Sequence, residues 1–137
     1  MTEDQMVNAA AGWLHRREFR VAIGVPFMSQ CIDLVYEADG GGLIAVEFKR
    51  HDWRRALQQS RTHLLGANRV YICLLPREVS AALTAALNEH GIGLVFYYPD
   101  DVQPLVERVS AESPSPSLSF PRLWLRDAFE ARCLEGG

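Results

Sequence analysis

The sequence predicts an α/β fold: a three-layer α/β/α sandwich around a mixed sheet of about five strands. Two features point to it. A pair of apolar runs brackets a glycine-rich turn, Cys31-Ile-Asp-Leu-Val-Tyr36 and Leu43-Ile-Ala-Val-Glu-Phe48, which reads as a β-hairpin. Two later runs, Val70 to Leu75 and Ile92 to Tyr98, are continuously apolar, as strands buried on both faces are, and they alternate with segments of helical period.

Taken in order, Thr2-x-x-Gln5 has the spacing of a capping box at a helix start. Met6, Val7, Ala10, Trp13 and Leu14 continue at helical spacing, which predicts an amphipathic helix over 3–17. Phe19 to Val25 is alternating and β-branched in part, a short strand that Pro26 is expected to end. After the hairpin, Asp52 is placed to cap a helix from Trp53 to about Leu65, which Gly66, Ala67 and Asn68 break. The Val70 strand follows. Pro76 is expected to open a helix that runs to His90 and stops at Gly91. The strand from Ile92 then pairs parallel to the Val70 strand, through a helical crossover. Residues 1–109 therefore form the domain, 110–121 a Ser/Pro-rich linker without periodicity, and 122–137 a C-terminal amphipathic helix with Leu123, Trp124, Ala128 and Phe129 on its apolar side.

Composition limits what such a domain can be. At 137 residues and 48% hydrophobic, the chain is long enough to bury a core. It contains no run of about 18 apolar residues that would span a membrane. Its first residues, Thr2, Glu3 and Asp4, are polar and acidic, unlike a signal peptide. Cys31, Cys73 and Cys133 are odd in number and far apart, so they read as reduced thiols, and a cytoplasmic location is expected. The four histidines include no i, i+4 ligand pair. A net charge of −3 argues against attachment to nucleic acid by bulk electrostatics. Against that background Lys49, Arg50, Arg54, Arg55 and Arg61 crowd together, relieved only by Asp52, and fit a small phosphate-facing surface.

Lys49 is the only lysine among 14 Lys and Arg residues. Arginine is a permanently charged planar fork; lysine is a compact ammonium that can position or deprotonate a water. Lys49 follows Glu47 by two positions. Alternation along a strand puts both on one face with Leu43 and Ala45. Folding the hairpin about Gly40 sets position 33 opposite position 47, so Asp33, Glu47 and Lys49 converge. A register slip of one residue would separate them. Two opposed carboxylates need a cation between them, and Mg²⁺ is suited: it takes one or two carboxylates, completed by water and substrate phosphate. Mn²⁺ is the expected substitute.

The order of helix, strand, strand with Ile32-Asp33-Leu34-Val35, glycine turn, and Ala45-Val46-Glu47-Phe48-Lys49 before an arginine-rich helix resembles the PD-(D/E)xK nuclease superfamily. The likeness is to its small, single-domain, restriction-endonuclease-like members and covers roughly residues 2–98. It implies a metal-dependent nuclease that hydrolyses phosphodiester bonds, with DNA the expected substrate. In that family the aspartate and glutamate bind the metal and the lysine assists the attacking water; those roles fall on Asp33, Glu47 and Lys49. A glutamate in the first helix is matched by Glu3, a further metal ligand, which equally fits a first-turn acid favouring the helix dipole. A glutamine in the helix after the lysine is matched by Gln59, with Gln58 as the alternative. Arg50, Arg54, Arg55 and Arg61 would then face the nucleic-acid backbone. The chain departs from some relatives in having no acid on its first strand, where Val21 to Pro26 is wholly uncharged. The alternative is therefore a module that keeps the fold and binds nucleic acid or a protein partner without turnover. A nuclease this short that cuts both strands of a duplex would have to act as a homodimer.

Overall fold

A computed structural model describes residues 1–113 and 119–134. Helix α1 (Glu3–Arg16) leads into an antiparallel series, β1 (Val21–Phe27), β2 (Gln30–Glu37) and β3 (Leu43–Phe48). Helix α2 (Trp53–His63), strand β4 (Arg69–Leu74), helix α3 (Ala81–His90) and strands β5 (Gly93–Tyr97) and β6 (Leu105–Val109) follow, and α4 (Phe120–Arg132) ends the described chain. The sheet has six strands in the order β1-β2-β3-β4-β5-β6. The β3–β4 and β4–β5 pairs are parallel and the others antiparallel, so the sheet is mixed.

Helices cover both faces. On one, Trp53, Ala56 and Leu57 of α2, Leu83 and Leu87 of α3, and Leu125 and Phe129 of α4 pack on Val35, Leu43, Ala45, Val70 and Ile72. On the other, Met6, Val7, Ala10 and Leu14 of α1 pack on Val21, Leu34, Ile44, Val46 and Phe48. The α/β class is as expected; the sheet has one strand more. That strand, β6, carries Glu107 and Arg108 among only three apolar residues. It pairs antiparallel to β5 at the sheet's edge, where one side faces solvent and a charged sequence is tolerated. No described helix is long and apolar enough to cross a membrane.

Several boundaries differ from expectation, each for a local reason. The capping box on α1 is formed, with Gln5 N donating to Thr2 Oγ1 at 3.1 Å and Thr2 N to Gln5 Oε1 at 2.7 Å. Pro26 does not end β1 but lies inside it, exposed. An edge strand has one side without ladder partners, so a residue lacking an N–H costs little there. β1 turns into β2 through Met28 and Ser29, both left-handed at φ 51° and 64°, the two-residue turn whose twist matches the strands it joins. Pro76 does not open α3. The helix starts at Ala81, because Ser80 supplies a side-chain acceptor to Leu83 N at 3.1 Å. Ser119 likewise caps α4, and Pro121 sits in its first turn rather than in a linker. The centre of the expected linker, 114–118, lies outside the described residues.

Helix α4 belongs to the core, with Leu125 and Phe129 fully buried. It is also tied to the β2–β3 hairpin. Arg126 Nη1 pairs with Glu37 Oε2 at 2.6 Å, and Arg126 Nη2 donates to the carbonyl of Gly41. Arg20 joins Glu37 and Glu130 in the same network. After the helix, Leu134 N donates to Val21 O at 2.8 Å, and Cys133 forms an isolated antiparallel bridge with Ala22.

Candidate active site

The site grows out of an interrupted ladder. β2 and β3 pair from Glu37↔Leu43 through Leu34↔Val46 and stop there. The next pair would be Asp33 with Glu47, the even register about the glycine turn. Instead of exchanging backbone bonds, the two residues use their carboxylates. Asp33 N donates to Glu47 Oε1 at 3.3 Å, and Phe48 N donates to Asp33 Oδ2 at 2.9 Å. Each side chain thus satisfies an amide that the splayed strands leave without a carbonyl. On the other side of β2, Gly24 faces Asp33 in a left-handed conformation, φ 64°, and the β1–β2 pairing skips that position. A residue with a Cβ would be strained there. The break at Asp33 is therefore built from both flanks.

The environment is largely buried and negatively charged. Glu47 is buried and Asp33 is half-buried. Burial first, and the neighbouring Glu47 second, push the Asp33 carboxyl up to about 7, against the pull of Phe48 N and Lys49. Each carboxylate commits one oxygen to the protein, and no hydrogen bond from the described residues reaches Asp33 Oδ1 or Glu47 Oε2. Two hard oxygen donors with uncompensated charge between them fit a small divalent cation such as Mg²⁺. Among the described residues no group of three His, Cys, Asp or Glu is arranged to hold one ion, so these two donors would leave the remaining positions to water and phosphate.

Lys49 lies just past the end of β3, anchored through its N–H to Cys73 O at 3.0 Å. Its ammonium is partly buried and sits 3.5 Å from Glu3 Oε1. Strand alternation places Lys49 on the face of Leu43 and Ala45. Beyond the strand end its side chain instead reaches the first turn of α1, which packs on the opposite face. Glu3 thus faces Lys49 from across the sheet's end, as well as lying in the first turn of its helix. The two glutamines separate by exposure. Gln58 points to solvent, whereas Gln59 turns inward and its Oε1 is buried with no partner among the described residues.

The sequence reading missed His63. It is fully buried, and its Nε2 lies 2.7 Å from Glu47 Oε1. Counting histidine pairs could not find it, because its partner is a carboxylate on a strand. Helical phase could have done so. Trp53, Ala56, Leu57 and Ser60 define the buried stripe of α2, and His63 continues it as a polar residue at a core position.

Arg50, Arg54, Arg55 and Arg61 are all exposed. Among the described residues none of the four is held in an ion pair. Arg54 lies over the Trp53 ring, 4.2 Å from its centre, which fixes its stem beside the helix start.

No family model matches this chain, and no curated protein does. Among solved structures it resembles SPO1766, a protein of unknown function from Silicibacter pomeroyi, at a TM-score of 0.61 and 16% identity, over 96% of this chain and 86% of that one. That is a likeness of fold. A repair endonuclease from Pyrococcus abyssi matches at 0.48 and 14% identity, over 83% of this chain and 48% of the other. Pyrococcus furiosus SfsA, solved in complex with Ca²⁺, matches at 0.47 and 14% identity, over 79% and 63%.

Proposed function

We propose that this protein is a divalent-cation-dependent nuclease that hydrolyses phosphodiester bonds, with DNA as substrate. One observation carries the reading. Asp33 and Glu47 are close together where the β2–β3 ladder stops, each with one oxygen that no described residue hydrogen-bonds, and the only lysine of the chain is near enough for its charge to draw the Asp33 carboxyl down. A carboxyl that burial first, and a neighbouring acid second, raise to about 7 is costly for a fold that has no use for the charge.

In this reading Asp33 and Glu47 hold Mg²⁺, or Mn²⁺ in its place. A bound cation of this kind supplies polarisation of the phosphate and a lowered pKa for water. Asp33 and Glu47 fix where the scissile group sits. Lys49 would donate to the attacking oxygen or to a phosphoryl oxygen on which charge builds, and Glu3 keeps the ammonium turned to that end of the sheet. Arg50, Arg54, Arg55 and Arg61 take the flanking phosphates, positioning the backbone without reading its bases. The test is a plasmid-nicking assay with Mg²⁺, with Mn²⁺ and with chelator. Nicking that requires the cation and disappears in Glu47→Gln supports the reading; no cleavage of any DNA or RNA form with either cation overturns it.

A second reading has its own observation. β1 offers no acid near Asp33, and the facing position is Gly24, so a third protein carboxylate is not supplied from that strand. A module that binds nucleic acid without cutting it would need only the arginine surface. Cation-independent retention of DNA by a chain that never nicks would favour it.

A further inference from the structure

We propose that His63 is a positioning residue for Glu47: it donates from Nε2 to Glu47 Oε1 and so aims Oε2 at the cation. The inference rests on the proposed cation site and adds to it a residue that neither the acid-x-lysine pattern nor the arginine surface includes.

Glu47 lies next to the last residue of β3, where pairing with β4 continues but pairing with β2 has stopped. Its side chain, on a flexible stem, therefore has no strand neighbour on the β2 side. A glutamate carboxylate in that position can turn about three side-chain torsions unless something fixes one of its oxygens. Asp33 N does so weakly, at 3.3 Å. The imidazole does so at 2.7 Å, from a ring that is itself packed rigidly on the buried side of α2. A carboxylate oxygen can only accept, so the ring nitrogen facing it carries the hydrogen. Such outer partners of a metal-binding group set its orientation and basicity.

One helical turn away on α2 is a second group in need of a partner: among the described residues neither His63 Nδ1 nor Gln59 Oε1 has a hydrogen bond, and both are closed to solvent. In the neutral ring that donates to Glu47, Nδ1 is an acceptor. A half-turn of the Gln59 amide about its last torsion puts an N–H in place of the oxygen. Were that N–H to meet Nδ1, Gln59 would act through His63 rather than on substrate, a part that solvent-facing Gln58 could not take.

Equilibrium binding of Mn²⁺, read from the paramagnetic resonance of the free ion, tests this without reference to turnover. Glu47→Gln sets the baseline for loss of the site. His63→Phe keeps the volume and removes the donor, and is expected to weaken Mn²⁺ binding by about 10- to 100-fold. His63→Gln puts an amide nitrogen close to where Nε2 was and should recover most of that affinity. His63→Asn, whose amide reaches only the position of Nδ1, should not. The Gln and Asn variants decide the question if the Phe variant fails to fold, because both are polar and fit the space. Affinity equal to the parent in folded His63→Phe or His63→Asn overturns the inference alone, as does a Gln variant no better than Asn. A parent that binds no Mn²⁺, or binds it equally after Glu47→Gln, overturns the inference together with the cation site beneath it.

Discussion

The two ends of the β2–β3 hairpin are built on opposite principles. At the turn end the backbone ladder is complete, and the flanking charges cancel. Glu37 meets Arg20 and Arg126, and Arg126 also binds the Gly41 carbonyl, so helix α4 ties the turn to the body. At the other end the ladder stops, two acids face one another, and among the described residues the one ion pair of Lys49 is with Glu3 at 3.5 Å. One hairpin therefore contains a region arranged for stability and another arranged to keep charge unsatisfied. The contrast teaches that ion pairs say little about function until one asks which of them are complete. The networked arginines of the turn end are structural by this criterion, and the uncompensated carboxylates of the open end are the functional candidates.

The comparison can be broken most sharply at Lys49. Lys49→Ala should abolish cleavage, by at least about 100-fold, while Mn²⁺ and DNA binding persist, since neither carboxylate is removed. Lys49→Arg should not restore it, because a guanidinium is neither compact nor able to give up a proton near neutral pH. Single-turnover nicking beside a binding isotherm measures both halves. Full cleavage by Lys49→Arg would reduce the lysine to a counter-charge.

At the closed end the expected effect is on stability. Phe129→Ala removes a fully buried ring of α4 and should cost about 3–5 kcal/mol in denaturant melts. Mn²⁺ affinity of the folded fraction should not change. A loss of cation binding on the same scale would mean that the two ends are coupled rather than separate.

A smaller effect is expected from Arg54→Ala together with Arg55→Ala. Affinity for DNA should fall to a similar degree for every sequence, and the slope of log affinity against log salt should flatten by about 1–2 units, one phosphate contact per arginine. A slope equal to the parent's would show the exposed arginines to be a solvated helix face.

The smallest effect is a pH slope in metal-free protein. Asp33 is raised to about 7 in the fold from its ordinary 3.8, so between those values the folded state binds the extra proton. The contribution is fully present below pH 3.8 and is lost as pH rises through about 7. The melting temperature of the Asp33→Asn variant should lack that decline. Saturating Mg²⁺ should flatten it in the parent, because the cation stabilises the ionised carboxylate. A parent whose stability does not fall between these pH values would show that neither burial nor the neighbouring Glu47 raises the Asp33 carboxyl.

The hairpin was legible because its turn chemistry and alternation agree. The glycines at 40 and 41 adopt φ near 98° and 97°, and the register they set is the one that symmetry about Gly40 requires. The helix starts at Thr2 and Asp52 were legible for the same reason, a side-chain acceptor at the right spacing. What failed was decided by tertiary position. Pro26 reads as a stop unless one knows that β1 is an edge. Met28-Ser29 has none of the glycine or asparagine that marks a two-residue turn. β6 is too charged to read as a strand until β5 offers it an edge. Leu75-Pro76 looks like a helix start only when Ser80 is overlooked. At the candidate site, Asp33, Glu47 and Lys49 could be placed by counting along strands. The His63 contact could not, since it depends on the angle at which α2 crosses the sheet.

The margins of the sheet bear on how the molecule behaves in a crowded solution. A bare strand invites a neighbouring chain to add itself by backbone pairing. Here β1 withholds one donor at Pro26, and its Val21 and Ala22 are already engaged by the tail of α4 through Leu134 and Cys133. At the far margin Glu107 and Arg108 place charge on β6. The final helix is therefore a guard against self-templated aggregation as much as a lid on the core, and a shortened chain lacking it would expose a sticky border that the full chain keeps occupied.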